Sequence, residues 1–194
     1  MRFHYMGRFN GDPTSLPSRE HEEGCVQFKE PGQKIRMVIM NVIAVLIMLP
    51  LILWVLYSSP AMPTPVACLT FLALIVSIIP HEILHGICFK GDAYIYTYLR
   101  KGACFVTGPE LFSKSRYIFT LFLPNIVLGF IPFMIWLIFP NLSFLGWFGA
   151  AGIGMGAGDY MNIFNCLTQA PKGAKVYMKN MNSFWCKRPS EMDI

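Results

Sequence analysis

Charge is scarce in this sequence. Asp, Glu, Lys and Arg make up 14% of its 194 residues, against about 25% in an average soluble domain. The scarcity is local. Between Arg36 and Lys90 the one such side chain is Glu82, and between Arg116 and Lys172 it is Asp159. A soluble helical protein can carry apolar runs in a buried core, but it does not segregate its basic residues so completely. Histidine is scarcer still, with four in the chain. No C-x-x-C pair occurs among Cys25, Cys68, Cys88, Cys104, Cys166 and Cys186, and each reads as a small hydrophobe. The first 34 residues hold no apolar h-region, so no cleavable signal peptide is expected. The net charge of +5 would suit a nucleic-acid binder. Such a protein needs no charge-free stretches of this length, however, and no motif for one is present.

What is present is apolar. Hydrophobic residues make up 54% of the chain, with 16 Phe and 12 Met. Four runs, about 35–58, 66–89, 117–139 and 143–166, are long enough for a hydrocarbon core of about 30 Å. Pro50 falls in the first and Pro124 and Pro132 in the third, each a place for a kink. SSPAMPTP and PNLSFLG read as uncharged turns. Residues 93–106, AYIYTYLRKGACFV, have another texture. Aromatic and β-branched residues flank Arg100-Lys101-Gly102, which predicts a short β-hairpin at the membrane surface. Residues 1–34 read as a polar cytoplasmic segment and 167–194 as a basic cytoplasmic tail, around one transmembrane domain over 35–166. All sixteen Lys and Arg lie in 1–36, 90–116 and 172–188. An even number of spans with both termini cytoplasmic accounts for that under the positive-inside rule. The expected fold is all-α: an integral membrane protein with four transmembrane helices.

Four ionisable side chains fall inside the expected spans: His81, Glu82, His85 and Asp159. An intramembrane charge costs several kcal/mol (~3) unless it is paired, solvated or metal-bound. His81 and His85 are four apart, so on a helix both imidazoles face one ion. Glu82 points about 100° away, toward a water rather than the metal. This is the H-E-x-x-H arrangement of a metal site with an acid/base glutamate. Depth suggests the third ligand. Counted from the outer ends of their spans, near Val66 and Ser143, His81 lies about 22 Å in and Asp159 about 24 Å. The ligand types favour Zn²⁺.

Other residues have weaker claims. Gly149, Gly152, Gly154, Gly156 and Gly158 strip side chains from the fourth run and would let helices approach closely. Asn125 follows Pro124, which leaves a carbonyl without its helical donor one turn back. Asn125 could hold a substrate strand, stabilise an oxyanion or join helices. Tyr160 and Asn162 flank Asp159 and could support it. The 93–106 hairpin could offer an edge to an extended substrate.

HEILH, then AYIYTYLRKGACFV, RYIFTLFLPN and GAGDYMN, over about 66–166, resembles the membrane zincins of the site-2 protease type. It is more closely similar to a bacterial membrane family of zincin peptidases. The resemblance implies zinc held by His81, His85 and Asp159, with Glu82 as acid/base and the site opening toward the cytoplasm. Its partners would be the lipid bilayer and a membrane or juxtamembrane protein substrate. The aspartate stands in Gly-Asp-Tyr here, where site-2 proteases carry Leu-Asp-Gly. Two other functions use the same residues. One is a catalytically inactive, metal-binding regulatory protein, which the presence of Glu82 disfavours. The other is a metal or proton transporter, for which the spans are few and no inverted repeat is visible.

Overall fold

The computed structural model describes residues 2–98 and 102–187. Arg100 and Lys101 of the expected turn, and the end of the tail from 188, lie outside them. By its internal contacts the chain divides into two units.

One unit, Pro31–His81 with Leu121–Met161, is helical. It contains α1 (Gln33–Ser58), α2 (Thr64–Val76), α5 (Ile131–Ile138) and α6 (Ser143–Met155). Helix α6 packs against α1, α2 and α5. Its small residues make that approach possible. A Cβ on Gly149 would lie 2.5 Å from the Phe133 nitrogen, and one on Gly152 2.3 Å from the Leu128 carbonyl oxygen. These are backbone atoms that cannot step aside, so close helix contact requires glycine there. The core beside the stripe is Val55, Phe133, Trp136, Ala150 and Ile153. The Trp136 indole N–H donates to Ser59 Oγ at 2.7 Å. Leu46, Leu49 and Leu53 on α1, and Leu69, Phe71 and Leu72 on α2, stand exposed.

The other unit, Met1–Glu30 with Glu82–Thr120 and Asn162–Ile194, carries two sheets. In the first, β3 (Asp92–Tyr98) and β4 (Ala103–Thr107) form the antiparallel hairpin read from 93–106. β1 (Arg2–Arg8) adds to it in parallel, pairing Arg2 with Asp92 and bulging between Tyr5 and Arg8. Phe9, Leu16 and Tyr96 form its buried cluster. The second sheet has the order β2-β7-β6-β5, from β2 (Val26–Gln27), β5 (Phe112–Ser113), β6 (Lys175–Lys179) and β7 (Asn182–Cys186). Asn180 and Met181 turn the β6–β7 hairpin at φ 51° and 63°.

The all-α, four-helix expectation is therefore wrong. The protein is mixed α/β, with 55% helix and 18% strand, the strands of the described residues forming two sheets. Among the described residues, three helical stretches are long and apolar enough to cross a membrane: Lys34–Ser58, Thr64–Gly86 and Lys114–Ile138. The fourth expected span is broken at Gly156 into α6 and α7 (Ala157–Gln169). The missed strands have physical reasons. β1 pairs with a partner some 90 residues on, which no local pattern reports. The β6–β7 turn puts Met where Asn-Gly is the usual signal for two left-handed residues.

Candidate metal centre

Pro80 sets the start of the histidine helix. It has no N–H to give the Val76 carbonyl. α2 ends at Val76, and α3 (Ile78–Gly86) resumes after Ser77. The His81 N–H donates to the Ser77 carbonyl at 2.9 Å, so the ladder is restored by the first histidine. His81, Glu82 and His85 all lie on α3.

His85 is buried, and its Nδ1 lies 2.8 Å from the Thr120 carbonyl oxygen. A carbonyl only accepts, so Nδ1 carries the proton and Nε2 presents the lone pair. That carbonyl is available for a reason. Thr120 is on α4 (Lys114–Asn125), and its helical donor would be residue 124, which is Pro124. The carbonyl that the proline leaves without a backbone donor is thus the one that sets the tautomer of His85.

Asp159 sits in the first turn of α7. Its Oδ2 lies 3.3 Å from His81 Nε2 and accepts from Asn125 Nδ2 at 3.0 Å. Asn125 is fully buried, at 0% exposure. It also donates to the Leu121 carbonyl at 3.1 Å, and a π-helical turn, Ile126–Phe130, follows it. Such turns recur at functional sites. Asn125 Oδ1 has no hydrogen-bond partner among the described residues. A Cβ on Gly156 would fall 1.7 Å from that oxygen, so the space Asn125 fills exists because residue 156 has no side chain.

Glu82 Oε2 accepts from the Val106 N–H of β4 at 3.0 Å. Burial, and then the Glu82 charge, push the thiol of neighbouring Cys104 up from its ordinary value. Tyr160 packs against the core cluster of the helical unit and against Phe122.

His81 brings an imidazole to the Asp159 carboxylate, and His85 follows His81 by four residues on the same helix, about one turn along. Two imidazoles and a carboxylate form a donor set that suits catalytic zinc. The His85 hydrogen bond to Thr120 is the kind of outer contact that orients a histidine ligand. Sequence reasoning missed this link. Its signal was the pairing of a histidine on one helix with an x₃-Pro carbonyl on another. A second group of donors, Glu22, Cys25 and Cys186, contains a disulfide between its two cysteines. Reading those two as isolated small hydrophobes was incorrect.

No curated protein and no solved structure matches the chain. A family model matches residues 74–175, more than half of the sequence and the stretch that holds His81, Glu82, His85 and Asp159. The chain belongs to the family described as "putative zincin peptidase".

Proposed function

We propose that the protein is a membrane-embedded zinc metallopeptidase that hydrolyses peptide bonds in membrane or juxtamembrane segments of other proteins. His81 Nε2, His85 Nε2 and an Asp159 oxygen would hold the metal. The observation that carries this reading is the contact of His81 with Asp159, made inside apolar sequence beside an H-E-x-x-H helix. Zinc supplies Lewis acidity, acidifying water and polarising a peptide carbonyl. Glu82 takes the proton of the attacking water at a carboxylate oxygen. It delivers that proton to the leaving nitrogen as the C–N bond breaks. The Val106 N–H holds one Glu82 oxygen and so fixes the direction of the other. Asn125 fixes the rotamer of Asp159. No step calls for nucleic acid.

The sheets support a topology. β2 comes from the first basic segment, β5 from the second, and β6 and β7 from the third. A bilayer cannot divide a hydrogen-bonded sheet, so the three basic segments lie on one side. The positive-inside rule makes that side the cytoplasm, and both termini face it. The chain leaves along α4 and α5 and returns along the interrupted α6 and α7.

The test compares membranes of cells carrying the parent protein or Glu82→Gln. Full-length forms of particular membrane proteins should accumulate with the variant and be cut with the parent. An identical set of membrane proteins, from variants that hold zinc equally, would favour a metal-binding protein without catalysis.

A further inference from the structure

Cys25 and Cys186 are bonded, with their Cα atoms 4.4 Å apart. They stand directly across two strands: Val26 pairs with Trp185, and the cysteines are the next pair outward. The strand they secure is slight. β2 has two residues, and around it the N-terminal segment is held by Phe28 N–H on the Ser183 carbonyl, by Lys29 N–H on Gln169, and by the His21 ring against the Tyr177 hydroxyl and the Phe184 ring. Pairing this short is marginal in water. The remaining cysteines, Cys68, Cys88, Cys104 and Cys166, are thiols, so the pair is unambiguous. Cys25 is half-buried and Cys186 buried, so Cys25 is the more accessible of the two to an attacking thiol.

The sheet that carries this bond is the one assigned above to the cytoplasmic side, where thiols are kept reduced. A permanent disulfide does not fit that compartment, whereas a cycling one does. We propose that Cys25–Cys186 is a reversible thiol–disulfide site that clasps the N-terminal segment onto the C-terminal hairpin. The proposal rests on the topology reading and is independent of the metal centre. A cellular thiolate attacks Cys25 Sγ, the S–S bond breaks, and Cys186 leaves as a thiolate that takes a proton. A second thiol resolves the mixed disulfide, freeing Cys25 as a thiol and leaving the two reductant sulfurs joined. Two-electron oxidation by a disulfide or diazene oxidant closes the clasp again, with loss of two protons.

The test counts thiols in the full chain in bacterial cells. Cells are acid-quenched, the protein is denatured, and free thiols are tagged with a heavy maleimide before and after treatment with the thiol oxidant diamide. The expected result is six tagged cysteines before oxidation and four after, while Cys25→Ser and Cys186→Ser each stay at five. Four tags in both states would overturn the proposal in favour of a permanent bond. Six in both would overturn it by showing that the bond does not form. A Ser15→Cys probe in the chain lacking Cys25, Cys68 and Cys186, read against the same chain without the probe, tests the topology by itself. An impermeant maleimide should reach it only in broken cells, and labelling from outside would overturn the cytoplasmic assignment and the proposal with it.

Discussion

At the scale of single residues, the account turns on who touches Asp159 and Glu82. Glu82→Gln keeps shape and the Val106 contact but cannot take a proton. It should lower turnover by about 10²–10⁴-fold with zinc content unchanged, measured on the purified chain once a cleaved substrate is identified. Asn125→Ala removes the N–H that holds Asp159 Oδ2. Loss of such an outer contact typically weakens metal binding about 10–100-fold, and a zinc titration against a competing chelator would read it. Gly156→Ala drives a methyl group into Asn125 and should cost both zinc affinity and thermal stability. If that clash is the cause, adding Asn125→Ala should recover much of the lost stability, a non-additivity expected only of touching groups. Additive losses would mean that Gly156 matters for another reason.

At the scale of elements, prolines place the histidine helix and its support. Pro124→Ala restores an N–H that can take the Thr120 carbonyl back into α4, leaving His85 to compete for it. Helix propensity improves by up to about 3 kcal/mol, so the variant should be no less stable yet bind zinc about 10–100-fold more weakly. Equal affinity would show that the carbonyl does not orient His85. Beyond α3, Glu110 accepts from the Lys90 and Gly91 N–H groups and pairs with Arg116. Arg116 also reaches the Cys88 carbonyl. Burial alone would raise the Glu110 carboxyl, but Arg116 and the two backbone donors outweigh it and hold the carboxyl below its ordinary range. A carboxylate lowered on folding stabilises the fold above its unfolded value of about 4.3. That contribution is lost as pH falls through the folded value. Glu110→Gln should therefore lower the melting temperature at neutral pH, and the gap to the parent should close in acid below pH ~4.

These two scales differ in how readily they can be read from sequence. The HEILH spacing, the apolar runs and the 93–106 hairpin are local patterns, and each carries its own period. The Thr120–His85 bond is not local. Pro124 announces an unpartnered carbonyl, but nothing nearby says which side chain takes it, and Asn125 takes the Leu121 carbonyl instead. The break at Gly156 was hidden inside a run that is apolar on both sides of it. Glycine there reads equally as close packing or as an interruption, and the Asn125 side chain decides between them.

At the scale of the molecule, the charge pattern and the second sheet make one statement by different means. The sequence sorts every basic residue into three segments, and β2, β5, β6 and β7 sew those segments together. Strands β1 and β2 were not legible, because they are recruited by partners far along the chain. The central claim is a zinc site built by α3 and the start of α7, and its most direct test is zinc per chain after gentle detergent purification, for the parent and for Asp159→Ala. The account predicts about one zinc in the parent, as a three-ligand catalytic site holds, and a large loss in the variant. No zinc in the parent even after loading would contradict it and leave His81, Glu82, His85 and Asp159 needing another explanation.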